Sequence, residues 1–277
     1  MDFVLFVTLA ALITSSATAG PVLSARQHEP QGRIGSVLGK AYSVDFDRWP
    51  YGRYSSEAAS ADFGDVSGWD ADRTIISGGR LRGELEPGKI GGAGGTLARI
   101  NVVRGTEYEM QYTVNFHSQF QWSRGGKLGW GFGIGDGAGG CTKADGDGAS
   151  LRLMWYTDDN ARTYFRPYLY YAAMPGRCGD SFGLRYPPME ESLKVSTNYV
   201  IYMYVRSNTG QNKDGWAVIK VNGVTLLDTP VQWTDNNAKR SITNLVFHNF
   251  RGGSQDYWAS DRVGYIYYDN FSVKRFG

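Results

Sequence analysis

The chain of 277 residues carries 29 Lys and Arg against 27 Asp and Glu, a formal net charge of +2. That length fits one large all-β domain or two small domains. The mild basic excess admits an anionic partner, but there is no dense Lys/Arg stripe, and nucleic acid is excluded as the expected ligand.

In chain order, the apolar run Phe3–Ile13 followed by Ala17-Thr18-Ala19 and Gly20 reads as a secretory signal peptide over residues 1–19. It is too short to span a bilayer well, and no later segment is long and apolar enough. The expectation is a soluble, extracellular monomer with no membrane association. Residues 20–41 are small and polar and predict a flexible or processed leader. From Tyr42 onward short alternating runs recur between Gly, Asn and Asp turns, with no long helical periodicity. Residues 42–277 therefore predict one all-β domain, a sandwich or barrel.

In 108–116 the even positions are apolar and the odd ones polar. The polar parity continues through His117, Gln119 and Gln121 toward WSRGGKLGWGF, residues 122–132, where Lys127 sits among glycines. Cys141 and Cys178 lie in Gly-rich, loop-like flanks and predict one disulfide tying two loops. In 150–155 the odd positions Leu151, Leu153 and Trp155 face a core, and in 163–171 Phe165, Pro167 and Leu169 do the same. Asp158-Asp159-Asn160 between them is turn chemistry. The two runs predict an antiparallel hairpin with Ser150, Arg152, Tyr164, Arg166, Tyr168 and Tyr170 on one face. Val221-Asn222-Gly223-Val224 is a second hairpin signal, and 245–250 and 265–271 read as closing strands.

A sheet face of tyrosines and arginines is either a solvated outer surface or a groove for an acidic sugar. Tyr rings offer flat apolar area plus a hydroxyl, and Arg offers a planar fork that matches a carboxylate. A polymer of uronic acids can be cut by β-elimination, in which the C5 proton is removed and the C4 oxygen expelled. Cations must neutralise the adjacent carboxylate, and a base and an acid must move the protons. Lys127, Arg152 and a tyrosine pair meet this requirement with no cofactor and no metal.

Gly125-Gly126-Lys127-Leu128, Ser150-x-Arg152-x-Met154-Trp155, Tyr168-Leu169-Tyr170, Phe247-x-x-Phe250-x-Gly252-Gly253-Ser254 and Tyr267-Tyr268-Asp269-Asn270-Phe271 form an ordered set. On these motifs, over roughly residues 95–275, the chain resembles the family 14 polysaccharide lyases, the alginate lyases of molluscs and algal viruses and their fungal relatives. The resemblance implies a β-jelly roll of two antiparallel sheets with the active groove on one concave sheet. It also implies that Lys127, Ser150, Arg152, Tyr168 and Tyr170 act in the site. Lys127 and Arg152 would neutralise the carboxylate, and Tyr168 or Tyr170 would be base and acid in turn, with Lys127 as the alternative base. The family usually continues GGKL with Pro-Gly-Leu, whereas Gly129-Trp130-Gly131 stands here. Trp130 is therefore expected to stack on a sugar. The interval from Arg152 to the tyrosine pair is long for the family, and a shorter register would put Tyr164 and Arg166 in those places.

His117 and Gln119 are further expected substrate contacts, and His248, with apolar neighbours, reads as structural. Three scattered histidines give no zinc spacing. Asp145-Gly146-Asp147-Gly148 offers acids to a structural calcium but lacks most of an EF-hand loop, so a plain acidic turn is expected. Gly131-x-Gly133-x-Gly135 opens no helix and is not a nucleotide loop. Asn270-Phe271-Ser272 is a glycosylation sequon. A glycoside hydrolase would need two facing carboxylates, for which Glu107 and Glu109 are the nearest candidates. A carbohydrate-binding module would keep the aromatics without converging Lys, Arg and tyrosines. The expected activity is secreted alginate lyase, mannuronate-rich blocks ahead, with glucuronan lyase as the alternative of the same fold.

Overall fold

The computed structural model describes residues 41–277 apart from 143 and 189; the expected signal peptide and all but the last residue of the expected leader lie outside the described residues. The strands in chain order are β1 (Ala41–Val44), β2 (Gly52–Arg53), β3 (Val66–Ser67), β4 (Thr74–Ile76), β5 (Leu81–Leu85), β6 (Thr96–Gly105), β7 (Glu107–Phe116) and β8 (Gly125–Lys127). They continue with β9 (Trp130–Gly135), β10 (Gly148–Thr157), β11 (Thr163–Tyr170), β12 (Asn198–Arg206), β13 (Gly215–Val221), β14 (Val224–Val231), β15 (Ile242–Arg251) and β16 (Gly264–Arg275). Among the described residues the single α-helix, α1 (Ser56–Phe63), starts where the Ser55 hydroxyl accepts from the Ala58 amide and ends at Gly64, whose φ of 81° few other residues adopt.

The strands form two antiparallel sheets. The larger runs β14-β13-β12-β7-β16-β5-β4-β2, with β1 also on β16. The smaller runs β11-β10-β8-β15-β6-β3, with β9 also between β10 and β15. The fold is the expected all-β sandwich. Its core lies between the sheets and is unusually aromatic: Phe116, Phe132, Trp155, Phe247 and Tyr268 are all fully buried. Period-two alternation builds it, since β7 buries Tyr108, Met110, Tyr112, Val114 and Phe116 and turns the odd residues outward. The Asn222-Gly223 hairpin closes β13 onto β14 with both turn residues at positive φ.

The smaller sheet departs from simple alternation. In β10 the first eight residues, Gly148 to Trp155, are buried on both faces. One face meets the core. The other is roofed by loops, so it is a lined groove and not a solvated outer surface. The predicted hairpin is present in the register that matters, Ser150 opposite Tyr170, Arg152 opposite Tyr168 and Met154 opposite Arg166. The Asp158 carboxylate accepts from the Asn160 and Arg162 amides and fixes its turn.

Candidate active site

The segment GGKLGWGF is one broken central strand. Both β8 and β9 lie between β10 and β15, and the break falls at Leu128-Gly129. Gly129 has φ of 67°, and a Cβ there would stand 2.5 Å from the Tyr112 ring, so the turn requires glycine. The register puts Lys127 beside Met154 on one side and Phe250 on the other. Lys127 thus shares its face with Arg152, two residues along β10. The alternation in β9 sends Trp130, Phe132 and Ile134 into the core and leaves Gly131 and Gly133 on the groove floor. A side chain at Gly131 would meet Arg152 Cγ at 2.9 Å, so its absence clears the space that Arg152 fills.

Four groups converge above this floor. Lys127 Nζ donates to the Gly252 carbonyl at 3.0 Å and stands 4.4 Å from the centroid of the Tyr168 ring. The Arg152 guanidinium lies 5.2 Å from the Tyr168 ring and 5.1 Å from the Tyr170 ring, and donates to the Ala138 carbonyl at 3.3 Å. The Tyr168 and Tyr170 hydroxyls are 3.4 Å apart. Ser150 donates to the same Ala138 carbonyl at 2.9 Å, which ties the loop after β9 over the site. The disulfide Cys141–Cys178 joins that loop to the one after β11. The Cys141 amide donates to the Tyr170 hydroxyl at 2.9 Å, and Gly179 packs so near the Tyr168 ring that a Cβ would stand 2.8 Å from it.

Burial sets the charge states. Removing Lys127 from water lowers its pKa to about 7, helped by repulsion from Arg152 and Arg166. Burial pushes Tyr168 up to about 12, with Tyr170 adding to it and Arg152 opposing. Burial, then Arg152 and Lys127, hold His248 well below the usual imidazole range, so it is neutral. Burial also lowers Arg152, against the attraction of the tyrosine pair.

The site residues expected from sequence divide cleanly. Lys127, Ser150, Arg152, Tyr168 and Tyr170 come together. Tyr164 and Arg166 share the face but stand farther along it, Arg166 stacked 3.9 Å over the Tyr156 ring and bonded through Nε to Met154 Sδ. Trp130 is not on the groove. It is fully buried against Phe247 and Phe271, because its parity in β9 points inward. His117 and Gln119 are not there either: they follow β7, which belongs to the other sheet, and they line a separate depression of about 500 Å³. His248, read as structural, is in the site, its Nδ1 3.5 Å from Arg152 Nη1. Parity with Phe250 along β15 was the signal that could have found it. A cavity of about 280 Å³ continues the groove past His248 over Gly133, Arg99 and Asn244.

Glu107 and Glu109 face outward from the larger sheet and accept from Tyr204 and Tyr202. Asp136, at the groove rim, is held by Lys239 at 2.7 Å. The facing carboxylates of a hydrolase are therefore not supplied by these acids. Asp145 accepts from the Asp147 amide and Asp147 from Asn236, and among the described residues no three His, Cys, Asp or Glu side chains gather as metal ligands.

No curated protein sequence matches the chain. Among solved structures, alginate lyase Aly36B superposes with a TM-score of 0.85 at 47% identity, over 87% of this chain and 98% of that one. A variant of it, with a lysine and a tyrosine replaced by alanine, is in complex with alginate tetrasaccharide at 46% identity and the same coverage. The alginate lyase of Aplysia kurodai shares the fold, with a TM-score of 0.67 at 21% identity over 86% of this chain and 100% of that one. The family model for polysaccharide lyase 14 matches residues 89–271. With that match spanning most of the sandwich and every motif of the groove, the chain belongs to the polysaccharide lyase 14 family.

Proposed function

We propose that this lyase cuts alginate, mannuronate-rich blocks first, by β-elimination, with Lys127 as base, Tyr168 as acid and Arg152 as neutraliser of the substrate carboxylate. The observation that carries the reading is one buried amine above a phenol, with the Arg152 guanidinium on the same groove face. The sequence left the base open between a tyrosine and Lys127. Burial favours the lysine, since it raises a phenol's pKa and lowers an amine's. At neutral pH a substantial fraction of Lys127 is unprotonated while Tyr168 keeps its proton.

The sugar carboxylate lies against Arg152, which stabilises the charge that spreads onto it. The Lys127 lone pair takes the C5 hydrogen as a proton. The C5–H electron pair becomes the C4=C5 double bond, the C4–O4 bond breaks, and O4 receives the proton of Tyr168. Lys127 and Tyr168 rise from the same floor, so base and acid act on one side of the sugar. This suits mannuronate, whose C5 hydrogen and C4 oxygen lie on the same face. The complexes of the Aly36B variants, in which a lysine is replaced together with a tyrosine or a methionine, support an alginate segment over the corresponding kinds of side chain. Here Lys127, Met154 and Tyr168 form one cluster.

We also propose that the chain works outside the cell, a reading supported by the Cys141–Cys178 disulfide, which an oxidising compartment maintains. Incubation with mannuronate-rich alginate, guluronate-rich alginate and glucuronan tests the reaction and its substrate together. Unsaturated product, read by its ultraviolet absorbance, should form fastest on the first. Reducing ends without that absorbance would indicate hydrolysis and sink the mechanism. Fastest product from glucuronan would keep the mechanism and replace the substrate.

A further inference from the structure

A second arginine–tyrosine surface lies on the opposite side of the sandwich. In β5 and β16 the residues Leu81, Gly83, Leu85, Ile266 and Tyr268 face the core. Arg82, Tyr265 and Tyr267 face outward, with Tyr267 opposite Arg82 in register. The Arg82 guanidinium stands 4.5 Å over the Tyr265 ring and Arg80 4.5 Å over Tyr267. His117 closes the cluster, edge-on to Tyr265 and roughly parallel to Tyr267. Beside it opens the depression of about 500 Å³ that His117, Gln119, Phe120, Arg262, Val263 and Tyr265 line.

Arginines on a sheet surface ordinarily find carboxylates, as Arg53 and Arg73 do in this molecule. Among the described residues Arg80, Arg82 and Arg262 form no ion pair, although Glu84 stands across from Tyr265 and Asp269 follows on β16. The buried Nε of Arg82 has no hydrogen-bond partner. Guanidinium groups held over rings by cation–π contact bring N–H donors together with the apolar area of the rings, the histidine and Val263. That pairing of charge and flat surface is complementary to a chain of sugar acids. The residues that line the depression include no lysine, and the role argued for it is binding alone.

We propose that this outer face is a second, non-catalytic binding site for the polyuronate. The choice of ligand rests on the alginate reading above. A site on the far side of the sandwich from Lys127 cannot hold the same short oligosaccharide as the groove. It raises the local concentration of a long polymer around the enzyme and so acts through avidity.

The test is affinity electrophoresis of the whole chain carrying Lys127→Ala, which leaves the polymer uncut, through gels containing alginate. Adding Arg82→Gln and Arg262→Gln should weaken retardation by about fivefold. Salt should abolish the parent's retardation, and a neutral glucan gel should give none. With Lys127 intact, the Arg82→Gln/Arg262→Gln chain should turn over an alginate tetrasaccharide at an unchanged rate and the long polymer more slowly. Arg262→Gln alone, on an exposed loop, keeps the test readable if the double change unfolds the protein, and should show a smaller loss in the same direction. Equal retardation with and without the substitutions overturns the proposal, as does equal retardation in neutral glucan. A parent chain that makes no unsaturated product would remove the catalytic reading while leaving the retardation comparison intact.

Discussion

The side-chain nitrogen of Lys127 stands 4.4 Å from the centre of the Tyr168 ring, and both are almost wholly buried. The contact places the group that burial discharges next to the group that burial keeps protonated. Lys127→Ala should lower kcat by about 10²–10⁴-fold, the usual range for a general base. Tyr168→Phe should cost a similar factor, and Tyr170→Phe less, with KM for alginate little changed in all three. Steady-state kinetics on one defined alginate oligosaccharide checks the order; a Tyr168→Phe enzyme with full kcat removes Tyr168 as the acid.

The same pair fixes a pH profile. For the free enzyme, kcat/KM should rise through about pH 7 as Lys127 loses its proton, and stay level until Tyr168 ionises near 12. His248 is neutral across this range and adds no limb. A profile that falls instead between pH 7 and 9 would contradict a lysine base.

Stability carries the opposite signature from an ion pair. The folded pKa of Lys127 lies below its unfolded value, so between about 7 and 10.5 the unfolded chain binds more protons. Stability therefore rises with pH through that window, and the full penalty is present below it. Lys127→Met should raise Tm relative to the parent at pH 6, and the gain should shrink by pH 9.5. Thermal unfolding at the two pH values reads it directly.

Reduction of Cys141–Cys178 frees the two loops that touch the tyrosine pair, one at the Tyr170 hydroxyl and the other at the Tyr168 ring. Cys141→Ser/Cys178→Ser should lose about 2–4 kcal/mol of stability and, at a temperature where it is still folded, lose kcat more than it raises KM. Equal kcat would show that the loops hold their place unaided.

Trp130 gives the control. Truncating a fully buried tryptophan costs about 3–5 kcal/mol, so Trp130→Phe, which keeps part of the volume, should lower Tm while the folded enzyme keeps its KM. Gly131→Ala would drive a Cβ into the Leu151 backbone carbonyl oxygen as well as against Arg152 Cγ, so it should lower Tm too and, in the enzyme that still folds, raise KM several-fold, as denaturation curves and kinetics on the same preparations will show.

The parts of the fold legible in the sequence are those that alternation and turn chemistry determine. The pairing of 150–155 with 163–171 follows from apolar residues at the odd positions of both runs and the Asp158 turn, and it brings Arg152 and the tyrosines to one face. Alternation says which residues of one strand look the same way, but not which sheet the strand joins. His117 and Gln119 were therefore put on the wrong side of the molecule. Trp130 departs for a different reason: its place in the family's Pro-Gly-Leu position suggests a subsite, whereas the alternation of aromatic and glycine in β9 turns it into the core. His248 was missed because its neighbour across the sheet depends on the long-range register of β15 with β8. The charge state of Lys127 comes from loops that fold over it, and no local pattern encodes their closure.

The bare stretch of β9 has a further consequence. Tyrosines crowd one end of the trough, while glycines leave the other end low and open toward Asn244 and Arg99. A trough with unlike ends is polar, and so is a polysaccharide strand. The two senses in which the strand can be seated are therefore unequal in energy, and the numbers of sugar units left on either side of the cut need not be equal.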